Sequence, residues 1–383
     1  MGFLKNIDIC FITKGGWKRV HQIITSDDKA TWDSVIGKST KKDIYYFQAY
    51  SSLYKESENG EPHLFVYSNG KESNLCYPFM KRNLNSLPFL GHSTLAGDYY
   101  DIVSPYGYGG PLYDFADKQI ISAFRHEFDD YCSNENIISE FTRFHPLLDN
   151  HKYFTDQMEV KKISQTIYLD LSKSEEEIFG DFHTNHKRNI KKGIKNNLEF
   201  RILKEEDAIF YLDDFLKLYY ETMDKLNASS YYYFSREYIK NLLVGLNQNS
   251  FIGAVFLKGK MITAALCMYC DKFIHYHLGC SKSEFLHLGA NVFQFYHIAL
   301  WGKKNGFLAF HLGGGYSGND SLFKFKSRFN PEGILDFYIG KKVHNPVLYK
   351  NLIDSWESYY SQSLDSNYFP AYRSEPSKEK IIG

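Results

Sequence analysis

The chain has 383 residues, 43% of them hydrophobic and 17% aromatic, with 31 Tyr and 31 Phe. That length accommodates two ordinary domains, and the apolar fraction permits a packed core and excludes global disorder. Lys and Arg together number 45, as do Asp and Glu, a balance that argues against a nucleic-acid coat, DNA included, and against a membrane-binding surface.

The apolar run at 9–12 is short and flanked by Asp8, which makes a poor signal peptide, and Asn6 stands where myristoylation wants Ser or Thr. Residues 44–47 read as a strand and 48–54 as a short helix. Residues 64–67 and 74–78 form a hairpin across Asn69-Gly70, a strong turn signal. A strand at 99–103 follows, then a helix over 115–132 with Ile120, Phe124 and Phe128 on one face, then a strand at 137–144.

Alternation at Ile167, Leu169 and Leu171 begins a second unit. Ser172 or Ser174 caps a helix whose first turn holds Glu175, Glu176 and Glu177, matching the helix dipole. That helix turns Ile178, Phe182 and Ile190 inward and Lys187, Arg188, Lys191 and Lys195 outward, and stops near Asn196-Asn197. A strand at 198–203 and helices at 206–226 and 235–246 come next. Strands at 251–257, 261–270 and 273–279 meander through turns at Gly259-Lys260 and Asp271-Lys272. A helix over 289–304 stops at Asn305-Gly306. A strand at 307–312 leads into Gly313-Gly314-Gly315, followed by a helix at 321–329, a strand at 334–339 and a helix at 345–361.

No apolar run approaches the roughly 20 residues of a membrane span. The six cysteines are scattered through the expected elements, too sparse for a secreted disulfide framework. These features predict a soluble cytoplasmic protein of mixed α/β class.

The order strand, helix, helix, three strands, helix, strand, helix, strand over 198–339 is similar to the topology of the GNAT acyltransferase superfamily. Asn185 to Asn196 (NHKRNIKKGIKN), the strand end Tyr276-His277-Leu278-Gly279, Leu312-Gly313-Gly314 and Phe325-Lys326-Ser327-Arg328-Phe329 resemble its FemAB-like branch. Upstream, Tyr100-Asp101 with the run Ser104 to Pro111 (SPYGYGGP) resembles the first half of the same proteins, and Tyr368 to Arg373 (YFPAYR) resembles their usual ending. The resemblance covers almost the whole chain. It implies two GNAT-like domains in tandem, each a twisted mixed sheet flanked by helices: an acceptor side over 1–160, an acyl-donor side over 161–345, and a C-terminal helix and tail over 346–383. Two departures stand out. Where coenzyme A users often carry Gln/Arg-x-x-Gly-x-Gly/Ala, residues 285–290 read FLHLGA and keep only the final Gly-Ala. The stretch 206–246 is too short for the long helical hairpin of enzymes that use aminoacyl-tRNA.

What the resemblance implies is an amine N-acyltransferase. In that fold the sheet splays between strands 273–279 and 307–312, and amides near Leu278 and Gly279 hold the acyl carbonyl. The helix start at Gly289, Ala290 and Asn291 takes the donor's phosphate through free N–H groups. Lys326 occupies the family's lysine position and binds a phosphate or stabilises the oxyanion; the alternative is a solvated lysine on an amphipathic helix. Asp101 is the first candidate for amine binding or general base, and His277 is a further candidate base. Tyr106, Tyr108 and Gly109, in a glycine-rich loop, suit a sugar or nucleotide acceptor; a tight surface loop is the alternative. Arg188, Tyr276, Gly313 and Gly314 complete the expected substrate contacts.

Other signals are set aside. Cys267 and Cys270 lie in one strand with side chains on opposite faces and have no second pair, which argues against zinc. His275 and His277 share a strand face without an evident third ligand, so no metal is expected. Asn319 and Asp320 replace the Lys and Ser/Thr of a nucleotide-triphosphate loop, which argues against ATP hydrolysis. The expected donor is acyl-coenzyme A, with aminoacyl-tRNA as the alternative. The expected acceptor is an amino group of a cell-envelope precursor, such as a nucleotide- or lipid-linked amino sugar or a muropeptide. The rival from another class is a non-catalytic protein that binds a glycan or peptide.

Overall fold

In chain order the first elements are strand β1 (Val20–Thr25), helix α1 (Lys29–Gly37), a turn of 3-10 helix at Ile44–Tyr46, helix α2 (Gln48–Ser52), strands β2 (Glu61–Ser68), β3 (Asn74–Asn83) and β4 (Tyr100–Val103), helix α3 (Lys118–Asn134) and strand β5 (Ile137–Arg143). Strand β6 (Glu159–Asp170), helices α4 (Glu175–Asp181) and α5 (Thr184–Lys195), strand β7 (Glu199–Leu203) and helices α6 (Glu205–Phe210), α7 (Leu212–Lys225) and α8 (Arg236–Gly245) follow. The chain then runs through strands β8 (Ser250–Leu257), β9 (Lys260–Cys270) and β10 (Phe273–Ser281), helix α9 (Ala290–Lys304), strand β11 (Ala309–Gly313), helix α10 (Ser321–Ser327), strand β12 (Ile334–Val343) and helix α11 (Pro346–Tyr360). The structure is a computed structural model that describes residues 20–68, 74–90, 97–115, 117–246, 248–316, 318, 320–364 and 368–377. The turn expected at Asn69-Gly70 and the stretch before Val20 lie outside the described residues.

The elements fall into two units. One comprises the described residues of 1–41, 54–161 and 339–383; the other comprises those of 42–53 and 162–338. In the first, the strand order is β1-β2-β3-β4-β5, and Ile339 to Val343 of β12 pair antiparallel with β5. The β4–β5 pair alone among those five strands is parallel. Asp117 caps α3 by accepting from the Gln119 and Ile120 amides, and the helix buries Ile121, Phe124 and Phe128. Phe124 and Phe128 meet Phe65 of β2 edge-on. Of the predicted face, Phe124 and Phe128 are buried, whereas Ile121 takes the place expected of Ile120.

In the second unit the strand order is β6-β11-β10-β9-β8-β7. Strands β8, β9 and β10 form an antiparallel meander, β10 and β11 are parallel, and β11 and β6 are antiparallel. One face of this sheet packs on α4, α5 and α9, through Ile178, Ile190, Val292, Phe295 and Ile298. The other face meets α7 and α8, where the Cys280 thiol lies against the Phe215 carbonyl and His277 against Tyr238.

Three elements depart from the sequence reading. The single helix expected from Ser174 to Asn196 is two: Ser174 and Glu177 make the capping box of α4, but the backbone then extends through Phe182 and His183, whose ring caps α5 by accepting from Asn185. The helix expected over 206–226 is likewise two, α6 and α7, meeting at Tyr211. The strand expected at 44–47 is a 3-10 turn, because the Asp43 carboxylate takes the Ile44 amide and starts a helical turn.

Candidate active site

Strands β10 and β11 pair at three positions: Phe273 with Ala309, Ile274 with Phe310, and His275 with His311. Beyond His275 and His311 they part. Strand β10 stays on β9 through a bulge at His277, between the pairs Tyr276–Cys267 and Leu278–Leu266. Strand β11 stays on β6 through a bulge at Leu312, between His311 and Gly313. A bulge bends its strand and increases the local twist. One in each wing, placed just past the last shared pair, turns the wings away from each other.

The parting leaves main-chain groups facing the gap. The Lys282 amide bonds the Ile262 carbonyl on β9, whereas the Ser281 amide turns away and bonds the Thr222 hydroxyl. In an antiparallel ladder successive residues face opposite sides. Leu278 and Cys280 therefore direct their amides to β9, and Gly279 directs its amide into the split. Of the two amides expected to hold a carbonyl, Gly279 has the required direction and Leu278 is spent on the sheet.

On the α9 face of the split, the Tyr276 ring packs on Phe295, 4.9 Å between centroids. It also lies across Gly279, where an added Cβ would fall 1.9 Å from the Tyr276 hydroxyl. Lys326, on α10, is 5% exposed. Its Nζ lies 5.2 Å from the Tyr276 ring centre and donates to the Gly314 carbonyl at 2.7 Å. Burial brings the Lys326 ammonium down to about 7, with Asp320 opposing the drop. Helix α10 is itself fixed: Asp320 caps it at Phe323, the His186 imidazole meets the Phe325 carbonyl at 3.1 Å, and the His183 amide bonds the Arg328 carbonyl. Lys326 is thus a rigidly held amine whose charged and neutral forms are both accessible near neutrality.

On the opposite face, His277 Nε2 lies 3.1 Å from the Tyr238 hydroxyl. Burial holds His277 down at about 4, with His275 adding to the drop, so its ring is neutral across the physiological range. Phe234 stacks on Tyr238 at 4.5 Å, and Tyr232 meets Tyr316 of the loop after β11 at 6.1 Å. Deeper on this face, His275 Nε2 lies 2.7 Å from Asp43 Oδ2, both fully enclosed. None of Asp43, Tyr232, Phe234, Tyr238 and Tyr316 was expected at a site. The one sequence signal was the aromatic run at 231–234 (YYYF).

The remaining expected residues are distributed as follows. Gly313 has φ +70, and the Gly314 carbonyl is the Lys326 acceptor. Gly289 is in the left-handed region at φ +73 and presses on Asn189 of α5, so that only glycine fits the start of α9. The first-turn amides of α9, from Ala290 and Asn291, have no acceptor within the helix, and no acidic side chain stands in that turn. Free N–H groups at a helix start are able to bind an anion. The Asn291 side chain accepts from the Thr263 hydroxyl, tying the helix start to β9. Arg188 is exposed on α5.

Asp101, Tyr106, Tyr108 and Gly109 belong to the first unit. Asp101 is fully buried, with Arg82 Nε at 2.7 Å on one oxygen and Arg373 Nε at 2.6 Å and the Tyr372 hydroxyl at 3.1 Å on the other. Burial would raise its pKa, but the two guanidinium groups overcome that and hold it below the ordinary carboxylate value. A carboxylate held this way ties β3 and β4 to the C-terminal segment and is a weak base. Tyr106 and Tyr108 are half-buried, and Asn150 straps their loop by donating to the Gly109 and Pro111 carbonyls.

Residues 180–327, which contain both wings of the split and Lys326, match the family described as acetyltransferase (GNAT) domain. Among solved structures, FemX is similar with a TM-score of 0.67 at 12% identity, over 87% of this chain and 99% of that one. L-PGS from Bacillus licheniformis is similar with a TM-score of 0.54 at 12% identity, over 86% and 96%. The C-terminal domain (DUF2156) of a putative lysylphosphatidylglycerol synthetase from Agrobacterium fabrum gives 0.51 at 14% identity, over 84% and 92%. At such identities the likeness is one of fold. No curated protein matches the chain.

Proposed function

We propose that this chain, which carries a GNAT acetyltransferase domain on a FemAB-like fold, is an N-acyltransferase that moves an acyl group from acyl-coenzyme A to an amine. The observation that carries the reading is Lys326, a buried amine with a pKa lowered to about 7 beside a split that presents the Gly279 amide. The reaction needs a proton acceptor near neutrality and a donor for the carbonyl oxygen. The amine nitrogen attacks the acyl carbon and forms the C–N bond. Neutral Lys326 takes the proton released by that nitrogen, and the Gly279 amide stabilises the oxyanion. The C–S bond then breaks, and Lys326 returns its proton to the leaving sulfur. The first turn of α9 would hold the donor's pyrophosphate.

The proposed acceptor is the amino group of a cell-envelope precursor, such as a nucleotide- or lipid-linked amino sugar. One neighbour's name refers to a lysylated phospholipid, which supports an envelope role. A second reading, with aminoacyl-tRNA as donor, draws on the exposed basic side chains Arg188, Lys191 and Lys195 of α5. The test is release of free thiol from acetyl-coenzyme A together with a mass shift on a panel of amino sugars. Coenzyme A that fails to bind at millimolar concentration, with no thiol released in the presence of any amine, overturns the first reading.

A further inference from the structure

The site proposed for acylating an amine contains an amine of its own. Of the described lysines, Lys326 alone is buried. Among the described residues its Nζ makes one hydrogen bond, to the Gly314 carbonyl, and no ion pair. A neutral amine that donates one N–H to a carbonyl still has its lone pair to give. The Tyr276 ring beside Nζ also lies across Gly279, whose amide enters the split. The lysine nitrogen and the amide that would hold the acyl oxygen therefore share one ring as a neighbour.

We infer that Lys326 is a modification site: when the acyl donor is bound and no acceptor amine is present, Nζ takes the acyl group itself and becomes an ε-N-acyl-lysine. The inference rests on the transferase reading above and adds a regulation of the same site.

The chemistry is that of the transfer. With an acceptor bound, the acceptor nitrogen attacks and Lys326 takes its proton. Without one, the Lys326 lone pair is the nucleophile at that position. It attacks the acyl carbon and forms the C–N bond. The C–S bond breaks, its electron pair leaves on sulfur, and the proton released by Nζ goes to that sulfur. The products are an amide and a free thiol, and no further reactant is needed. Burial favours the neutral, nucleophilic form of Lys326. Hydrogen bonds to Glu61 and Asp181 push Lys55 and Lys173 the other way. An acylated Lys326 is uncharged and has no basic lone pair, so the chain loses its proton acceptor. The amide is a dead end, and donor in excess over acceptor switches the enzyme off.

Helix α10 supplies an internal control, because Lys324 is exposed two residues from Lys326. The experiment incubates the full chain with acetyl-coenzyme A alone, at slightly alkaline pH, and follows both lysines by peptide mass spectrometry. Lys326 should gain one acetyl group about tenfold or more faster than Lys324, because the donor is held beside it. Desulfo-coenzyme A, which fills the donor site without an acyl group, should suppress the reaction at Lys326 and leave Lys324 unchanged. An unmodified Lys326, a Lys324 that reacts as fast, or acetylation of Lys326 that desulfo-coenzyme A does not suppress overturns the inference. Thiol release with the panel of amino sugars is read separately. Acetylation of Lys326 without turnover keeps the modification site and removes the transferase; turnover with Lys326 unmodified does the reverse.

Discussion

His275 and His311 are the last residues that β10 and β11 share, and their Nδ1 atoms lie 3.4 Å apart at the point where the strands part. The Asp43 carboxylate holds His275 from the other ring nitrogen. The vertex of the split is therefore pinned by buried polar side chains as well as by the sheet. Replacing Asp43 by Ala removes the hydrogen-bond partner of a buried imidazole and the cap on Ile44, and each such loss costs about 1–3 kcal/mol. Chemical denaturation should show the loss, and kcat should fall more than KM rises, because the wings lose their set angle.

Lys326 gives a pH-dependent rate. It must be neutral to accept a proton, so kcat should rise tenfold per pH unit up to about 7 and then level off. Lys326→Ala should remove that limb and lower kcat by about 10²–10⁴-fold. Stability also depends on pH, over a higher range. The folded-state pKa lies below the ordinary 10.5, so the unfolded chain binds the proton more tightly and stability rises as pH goes from about 7 to 10.5. Lys326→Met should therefore raise the melting temperature most below pH 7, with the difference fading above pH 10.

Asp101 makes a stability prediction. Asp101→Asn leaves Arg82 and Arg373 without their shared counter-charge inside the first unit, at a cost of about 3–5 kcal/mol. Its pKa is depressed on folding, so its contribution is present above the ordinary carboxylate range and is lost as pH falls through the folded value. Acid unfolding of the native chain followed by circular dichroism should show this loss, and the Asn variant should lack it.

The motifs that single out Lys326, Gly279 and the Gly313-Gly314 loop are local, and the meander from 251 to 279 has turns at both corners, so this part of the fold was legible in the sequence. What escaped depended on distant partners. Asp43 meets His275 across 232 residues, and nothing around Asp43 announces it. The break between α4 and α5 escaped because helical periodicity runs through it; the bond from His183 to the Arg328 carbonyl, far along the chain, accompanies the break. Asp101 was legible as a motif, but its role was not, because Arg82 and Arg373 lie 19 and 272 residues away.

Two glycines with the same backbone strain should respond differently. Gly259 and Gly289 have φ +76 and +73, but a Cβ on Gly259 meets nothing within 4 Å, whereas one on Gly289 falls 2.7 Å from Asn189. Gly259→Ala should cost about 1 kcal/mol and Gly289→Ala ~3 kcal/mol or more, by urea unfolding.

The basic side chains of α5 separate the two donors. Exchanging Arg188, Lys191 and Lys195 for Glu should change the KM for acetyl-coenzyme A by less than about twofold. If charged tRNA is the donor, the same exchange should abolish its binding in a filter assay and flatten the salt dependence.

Residues 42–53 belong to the same unit as 162–338, and they bring Asp43 and Tyr45 to His275. The piece of protein that houses Lys326 is thus discontinuous along the polypeptide. Expressed alone, 162–338 would lack the carboxylate that meets His275 at its vertex. Grafting that stretch into another protein as a portable acyl-transfer module should fail unless the dozen residues from the other end of the chain travel with it.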